Sequence, residues 1–511
     1  MKKTVFLLMI ITVVSKILGF LRDVFLSYFY GATSISDVFL ISIMIPTVIF
    51  ALIGNAISTG FIPMFTRIEN KGGDSAANIF TGQVTNGVLL IGSIVIAIGL
   101  LFTEPIVKIF ASGFHGETLE TAVIFTRISL ISIYFHGMIF ILSAYLQIKN
   151  IFLIPNLIGI PANIAIIVFV YVSSVYHVYL LAIGAVLSVF LQFLLLIIFA
   201  IKHGFRFQRG LKLRNGYLQK LLIITFPAAI GAGVAQVNLM IDRTMASWIS
   251  EGGISALNYA DTLNLFAAGI ITTSIIAVLF PKISNLAATG EMADLKDVLT
   301  RGIQMILLCI FPATVAYMVF SQEFVSLLYG RGQFDSIAIA LTSSSLFYYS
   351  IGMTGYCLHV MISNVFFALQ DTKTPMYNGL LTLVLNVLLN FALAPFLGIG
   401  GLALATSISS IIGVLFLGYK LKKRIGDFGL RTIFVFSVKT GMISLLMIGV
   451  AKGLYEVLYK NFNLFLSLAL SALVGSILYA GLLRLFKIFD VKGLVVDVLK
   501  GKVRQEENQA S

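Results

Sequence analysis

Charged side chains lie inside a long apolar stretch near the start of the chain. Residues 15–31 read SKILGFLRDVFLSYFYG, in which Lys16, Arg22 and Asp23 interrupt aliphatic and aromatic residues. A charge at the centre of a membrane helix costs roughly 2.5–3.5 kcal/mol on insertion scales, so such residues normally face a bundle interior or an aqueous cavity. Lys16 and Asp23 share one helix face, with Arg22 on its flank. These residues predict a polar path for a substrate or an ion.

Further charges are predicted inside the membrane in other helices. Asp242 and Arg243 lie at the matching depth of the predicted seventh helix. Adjacent residues of one helix do not face each other, so an ion pair made by either should involve another helix, and the same holds for the pair in the first helix. Such ion pairing is the alternative to a polar cavity, and Asp37, Arg127 and Lys439 have a further interpretation as interfacial residues that snorkel. The candidate substrate-binding residues are Lys16, Arg22, Asp23, Asp37, Arg243 and Asp261.

A second group of polar residues has the chemistry of a cation site. Asn386 and Asn390 share a helix face by their i, i+4 spacing, and Thr406 follows in the next predicted helix. With Asp242 they would supply several oxygen ligands and one negative charge, which suits a hard monovalent cation. Interhelical hydrogen bonding is an equally good interpretation, because Asn and Thr make such bonds routinely in membranes.

The composition is that of a membrane protein. Of the 511 residues, 59% are hydrophobic and 11% are charged, against roughly 25% charged in a soluble globular protein. Apolar stretches of about 18 or more residues recur along the chain and are too long for the strands of an outer-membrane barrel. The net charge of +13 resides largely in loops, and no basic-aromatic domain is present to bind nucleic acid. Cys309 and Cys357 form neither a metal-binding spacing nor a disulfide framework.

The apolar pattern predicts an all-α polytopic membrane protein with 14 transmembrane helices. One alternate set of loops holds nearly all Lys and Arg residues, whereas the other holds only Lys108, Arg331, Lys452 and Lys460. By the positive-inside rule both termini then lie in the cytoplasm, in agreement with an even number of helices. The predicted spans are 4–30, 36–65, 79–103, 119–147, 153–174, 177–201, 217–248, 253–281, 299–320, 337–368, 375–396, 399–419, 430–453 and 462–486.

The sequence also repeats itself weakly at a distance of about 220 residues. RDVFLSYFYGATSIS aligns with IDRTMASWISEGGIS, which pairs Asp23 with Asp242, and Asn163 pairs with Asn386. These polar pairs argue against chance similarity between apolar segments. Two six-helix halves in parallel repeat are related by an axis along the membrane normal, and transporters built this way bind substrate between the halves. The predicted domains are lobes at 1–205 and 206–424, helices 13 and 14 at 425–490 and a cytoplasmic tail at 491–511.

Several stretches together make the chain resemble the MurJ (MviN) lipid II flippases of the MOP exporter superfamily. They are SKILGFLRDVFLSYFYGATSISDVF, GFIPMFTR, DRTMASWISEGGISALNYADTL, and FFALQDTKTPMYNGLLTLVLNVLLN followed by GIGGLALATSIS. The resemblance implies a transporter, not an enzyme, that moves undecaprenyl-pyrophosphate-linked peptidoglycan precursor (lipid II) outward across the bacterial cytoplasmic membrane. It further implies alternating access coupled to a cation or to the membrane potential. The implied partners are lipid II or a related glycolipid, membrane lipids and cell-wall synthesis proteins.

The resemblance assigns roles to the charges of the first two helices. In the family, basic residues of a central cavity meet the pyrophosphate, and an arginine suits this because its fork matches phosphate oxygens. Arg22, Asp23 and Asp37 match the family pattern by position, whereas Lys16 stands at a frequent arginine and keeps only the charge.

The resemblance also implies a sodium site and a lipid groove. Asp242, Asn386 and Thr406 match the sodium-site pattern of some members, whereas Asn390 stands where an aspartate is found. The lost charge would weaken or retune cation binding. Helices 13 and 14 would form a groove for the lipid tail.

Four positions depart from the family pattern and keep other substrates open. Thr262, in NYADTL, replaces an arginine, Gly54 stands near an acidic position, and His359 and Asn364 replace basic residues. A flippase for another lipid-linked oligosaccharide is therefore one alternative. A multidrug or cation antiporter of the related type is another, in which membrane aspartates would bind a cationic drug. A membrane-embedded glycosyltransferase is disfavoured because no acidic catalytic motif, metal cluster or sizeable soluble domain is present.

Overall fold

The structure is a computed structural model that describes residues 2–207, 233–234, 236–486 and 488. Every regular element in these ranges is a helix, which confirms the predicted all-α class. Helices are expected here, because a lipid environment offers no partner for a backbone amide or carbonyl outside its own segment. The helices are α1 (Lys2–Tyr30), α2 (Ser34–Leu101), α3 (Thr103–Phe110), α4 (Gly116–Ser129), α5 (Ser132–Ile148), α6 (Leu153–Leu157), α7 (Gly159–Val175), α8 (Tyr179–Lys202), α9 (236–249), α10 (Gly253–Thr289), α11 (Met292–Val319), α12 (Ser321–Leu328), α13 (Ser336–Ala368), α14 (Lys373–Leu397), α15 (Ile399–Ile425), α16 (Leu430–Leu458) and α17 (Leu464–Leu485).

Ten helices of the described ranges are long and apolar enough to cross a membrane. An eleventh span results if α4 and α5, which meet at a 43° bend, count as one. The chain is thus a polytopic membrane protein, while the count of 14 and the orientation of the termini stay predictions. The predicted seventh span, 217–248, lies only partly within the described residues. The end of the basic loop before it and the tail at 491–511 lie outside them.

The predicted second and third spans are both contained in α2. Gly73 breaks this element with φ +69° and ψ −177°, a conformation that glycine tolerates. Near the break, Lys149 at the end of α5 donates to Glu69 at 2.7 Å and to Asp74 at 3.4 Å. The hydrogen bond to Glu69 is the main reason that the pKa of Lys149 lies above its usual value. The polar loop predicted between these spans is therefore a kinked helix tied to its neighbour by charge.

Two short helices are absent from the sequence prediction. Helices α3 and α12 have eight residues each, and each precedes the element that carries the predicted fourth or tenth span. Helix α3 buries Val107 and Phe110 on one face, while Lys108 and Glu104 pair at 2.7 Å on an exposed face. Segments of this length are too short to form an apolar run of membrane-spanning length.

The chain divides into two compact units. The first comprises 1–266, 328–352 and 373–413, and an apolar core of this unit lies between α2, α5 and α8 around Phe61, Phe80 and Ile141. The second comprises 267–327, 353–372 and 414–511, with cores around Ile306 and Cys357 and between α11, α16 and α17. All candidate site residues named above other than His359 and Asn364 belong to the first unit. The predicted lobe boundaries stay predictions.

Gly252 provides a test of the packing before α10. It has φ +72°, and an added Cβ would lie 2.0 Å from the carbonyl oxygen of Ala32. The backbone conformation alone costs a non-glycine residue about 1–2 kcal/mol. Gly252→Ala should therefore lower the melting temperature of the purified protein in detergent. The matched control is Gly449→Ala, whose Cβ meets nothing within 4 Å in helix α16 and should leave the melting temperature equal or higher. Equal melting of Gly252→Ala and the wild type would contradict this packing.

Candidate functional site

Arg22 and Asp23 form an ion pair on α1. The Nε and Nη2 atoms of Arg22 donate to Oδ1 of Asp23 at 2.9 and 2.8 Å. The Asp23 side chain is buried, with 1% of the residue exposed, and its Oδ2 accepts from the hydroxyl of Thr262 on α10 at 2.9 Å. Both carboxylate oxygens are thus satisfied, one by a charge and one by a neutral donor.

The prediction that Arg22 and Asp23 would pair only with other helices was wrong. Adjacent residues of a helix point in different directions, but the long arginine side chain turns back along the helix surface. A buried carboxylate is costly without a counter-charge, and this cost favours the bent arginine rotamer over an extended one. Arg22 itself remains partly exposed, with 29% of its side chain accessible.

Asp37, in the first turn of α2, contacts the start of α10. It is 2% exposed, and its Oδ1 accepts from the backbone amide of Ser255 at 2.7 Å. The first amides of a helix lack intrahelical partners, and a negative charge beside them is favourable. The interpretation of Asp37 as a snorkelling interfacial residue was therefore wrong. Contact of Asp37 with the substrate stays a prediction, and the burial of its side chain does not favour it.

Arg243 of α9 forms hydrogen bonds with neutral acceptors of α10. Its Nη1 donates to the carbonyl oxygen of Ile254 at 2.6 Å, and its Nη2 donates to Oδ1 of Asn258 at 2.8 Å. The residue is 8% exposed. Asp261 lies partly buried one turn further along α10 and interacts electrostatically with Arg243.

Arg22 and Arg243 line the same cavity of about 210 Å³ in the first unit. Thr47, Asn258 and Gln236 contribute its other polar side chains, and the rest of its wall is mostly apolar residues of α2. The other candidate substrate-binding residues, Lys16, Asp23, Asp37 and Asp261, are not among its lining residues. Lys16 is half-buried on α1. The structure thus brings two of the six predicted residues together at one open space.

The four residues of the predicted cation site are in direct contact. Asn390 donates to Oδ1 of Asp242 at 2.6 Å and to Oδ1 of Asn386 at 3.0 Å. Thr406 lies 3.0 Å from the Asn386 amide and 3.4 Å from Oδ2 of Asp242. With the Asn386 amide rotated, its nitrogen reaches Asp242 and Asn238, so Asn238 of α9 joins the cluster.

The donor set of this cluster fits a monovalent cation. Asn390 is fully buried, and its Oδ1 has no hydrogen-bond partner among the described residues. A buried carbonyl oxygen without a partner is costly, and a cation would satisfy it. The cluster contains one carboxylate, and no group of three His, Cys, Asp or Glu side chains capable of holding a metal occurs in the described ranges. Such a neutral-rich oxygen set is unlike the sites of transition metals.

The departures from the family pattern have distinct structural surroundings. Phe140 occupies the space beside Gly54, since an added Cβ there would lie 2.3 Å from its ring. Asn364 on α13 donates to the carbonyl oxygen of Val360 in its own helix at 2.8 Å. Thr262 takes part in the Asp23 cluster described above.

Hydrogen bonds to backbone carbonyls join the end of α1 and the turn after it to α10 and to the turn before α13. Gln333 donates its amide to the carbonyl oxygen of Tyr28 at 2.9 Å, and the Tyr259 hydroxyl donates to that of Gly31 at 3.1 Å. An added Cβ at Gly31 would lie 2.4 Å from the carbonyl oxygen of Gln333. The turn after α1, at Gly31, and the turn before α10, at Gly252, are therefore packed too closely to accept a side chain at either glycine.

Sequence reasoning missed three polar residues of the site. Asn258, Gln236 and Asn238 are uncharged and do not stand out in an apolar chain. One signal was available for Asn258, because it shares a helix face with Thr262 at i, i+4. The predicted roles of the site residues, as distinct from their positions, stay predictions.

The buried charges, the polar cavity and the membrane-spanning helices define the class of a membrane transporter. A solved structure described as an inward-facing multidrug resistance MATE family transporter of the MOP superfamily has the same fold. It has a TM-score of 0.68 at 14% identity and covers 81% of this chain and 95% of its own. This likeness concerns the fold alone.

Closer relatives define the family. The family model described as "Lipid II flippase MurJ" matches residues 26–473. A probable lipid II flippase MurJ of Buchnera aphidicola subsp. Schizaphis graminum is 28% identical over 95% of this chain and 93% of its own. A solved lipid II flippase MurJ in an inward closed conformation has a TM-score of 0.82 at 27% identity, covering 94% of this chain and 98% of its own. The chain belongs to the MurJ family of lipid II flippases, which are transporters and not enzymes.

Thr262→Val tests the contact between α1 and α10. The variant keeps the side-chain volume and removes the donor to Asp23, which leaves a buried carboxylate oxygen without a partner at a cost of about 1–3 kcal/mol. A lower melting temperature is expected. Thr273→Val is the control, since that exposed hydroxyl donates only to Gly269 of its own helix. A melting temperature unchanged by Thr262→Val would contradict the contact.

Proposed function

We propose that this chain moves lipid II from the inner to the outer leaflet of the bacterial cytoplasmic membrane. The observation that carries the proposal is the cavity lined by Arg22 and Arg243. Two guanidinium groups at one polar space suit a diphosphate, because each presents a planar fork of donors to phosphate oxygens. The family membership supports lipid II as the molecule that carries this diphosphate.

The two arginines differ in how their charge is balanced. Arg22 is paired directly with the Asp23 carboxylate, whereas the hydrogen bonds of Arg243 go to a carbonyl and an amide oxygen. Asp37, Asp242 and Asp261 interact with Arg243 electrostatically without a direct ion pair. Arg243 is thus oriented by neutral acceptors, and Arg22 contributes the more exposed guanidinium edge.

Transport would proceed by alternating access between two six-helix halves of a 14-helix protein with both termini in the cytoplasm. The packed turns after α1 and before α10 support a closed outer side, because the positive-inside rule places this end of α1 outside. Opening would separate the backbone contacts of Tyr28 and Gly31 with their partners. The membrane potential or a bound cation would shift the balance between the closed and open states.

The coupling ion in this proposal is a monovalent cation held by Asp242, Asn386, Asn390 and Thr406. The unpartnered Oδ1 of Asn390 supports this assignment. The cation would add charge compensation for Asp242, which has only neutral hydrogen-bond donors in the described ranges. Its position on α9, next to Arg243, would link ion binding to the substrate cavity.

A groove for the polyprenyl tail is proposed in the second unit. An apolar cavity of about 370 Å³ lies between α11, α12, α16 and α17. Phe320, Phe324, Met447, Ile448 and Leu468 are among its lining residues. An isoprenoid chain bound in this cavity would bury its hydrocarbon surface against these apolar side chains, which is favourable.

The role of Arg22 is tested by separating substrate binding from charge balance. Arg22→Gln leaves Asp23 without its counter-charge, whereas Arg22→Gln with Asp23→Asn removes both charges together. If Arg22 meets the diphosphate, both variants should lose at least tenfold in lipid II flipping in proteoliposomes. Recovery of flipping by the double variant would show that Arg22 serves only to balance Asp23. Thr47→Val, at an apolar part of the same cavity wall, is the control expected to keep activity.

The cation site is tested by thermal stability in NaCl against choline chloride. A cation that binds only the folded state raises the melting temperature by mass action. Sodium should stabilise the wild type, should not stabilise Asp242→Asn, and should stabilise Asn390→Asp more strongly. Equal melting of the wild type in both salts would contradict a sodium site and leave the interhelical hydrogen-bond interpretation.

A further inference from the structure

A second polar cavity lies in the second unit, and none of the proposed substrate or cation residues lines it. It has a volume of about 370 Å³ and lies beside the first half of α16. This space, called the basic cavity below, is lined by Gln304, Arg431, Thr432, Val435, Phe436, Lys439 and Ile488.

Two cations of α16 face the basic cavity. Arg431 and Lys439 are eight residues apart, which corresponds to about 12 Å along the helix and to one face with Val435 between them. Arg431 lies in the first turn of the helix, where the helix dipole disfavours a positive charge. Lys439 lies two turns further along the helix, and both side chains are exposed beside the cavity. The position of Arg431 is thus not one that helix stability would select for a cation.

Two other cations near this part of the chain have an acidic partner. Lys452 of the same helix pairs with Glu323 at 2.5 Å, and Arg424 pairs with Asp371 at 2.5 Å. Arg431 and Lys439 form no ion pair with any residue that the structure describes. Asp427, the acidic residue before α16, accepts a hydrogen bond at its Oδ1 from the backbone amide of Leu430 at 3.4 Å.

We propose that the basic cavity binds the phosphodiester headgroup of an anionic phospholipid from the cytoplasmic leaflet. The basic end of α15, with Lys422, Lys423 and Arg424, leads directly into α16 and belongs to the loops that the positive-inside rule places in the cytoplasm. Basic pockets between membrane helices on that side suit acidic lipid headgroups. Gln304 and Thr432 add neutral donors for phosphate oxygens, and Val435, Phe436 and Ile488 provide an apolar wall for the start of an acyl chain.

The test uses the full-length protein in nanodiscs of equal parts phosphatidylglycerol and phosphatidylethanolamine. Lipids that remain bound after release into detergent are counted by native mass spectrometry. The wild type should retain phosphatidylglycerol in preference, and Arg431→Gln with Lys439→Gln should lower this preference by at least fivefold. Lys423→Gln, an exposed cation of the same predicted side, should leave it unchanged. The melting temperature of each variant shows whether it is folded.

Three results would overturn the proposal. The wild type could show no preference for phosphatidylglycerol, or the double variant could keep it. The preference could also appear only after a polyprenyl diphosphate is added, which would assign the basic cavity to the transport substrate. Since the nanodiscs contain no such lipid, the measurement does not depend on the proposed flipping.

Discussion

The requirement that every charge within the membrane has compensation organises the site of this protein. Desolvation of an ion is expensive, so a carboxylate or guanidinium persists there only where hydrogen bonds or an opposite charge offset the cost. Asp23, Asp37 and Asp242 meet this requirement in three ways: by an arginine, by the amide of a helix start and by neutral side chains. The bonds of Asp23 with Thr262, Asp37 with Ser255 and Asp242 with Asn390 join residues far apart in sequence and so hold α1, α2 and α9 to their neighbours.

The difference between Asp23 and Asp242 gives the weak sequence repeat a functional meaning. The two aspartates align, yet Asp23 has an ion pair and Asp242 has amide and hydroxyl donors. A paired carboxylate is already neutralised and has little to gain from an ion. A carboxylate among neutral oxygens has more to gain, particularly beside the unpartnered Oδ1 of Asn390. One site is thus suited to holding the arginine that faces the cavity and the other to taking up a cation.

Sequence reasoning reached the long helices and the shared face of Asn386 and Asn390 because both depend on local spacing. Apolar runs predict helices, and the i, i+4 spacing of Asn386 and Asn390 predicts a shared face. The pairing of Arg22 with its neighbour depends on a rotamer that only burial selects. The position of Asp37 depends on where α10 begins, which is set by tertiary contacts over more than two hundred residues. The short helices α3 and α12 lack a run long enough for hydropathy to detect.

Growth rescue in bacteria depleted of their own lipid II flippase tests whether this chain flips lipid II through the arginine-lined cavity. The chain would be expressed beside an Arg22→Ala variant, with membrane abundance measured for both. The wild type should restore growth, and the variant should not at equal abundance. Failure of an abundant wild-type protein to restore growth would contradict lipid II as the substrate. Rescue by Arg22→Ala would contradict the assignment of the diphosphate to the arginine-lined cavity.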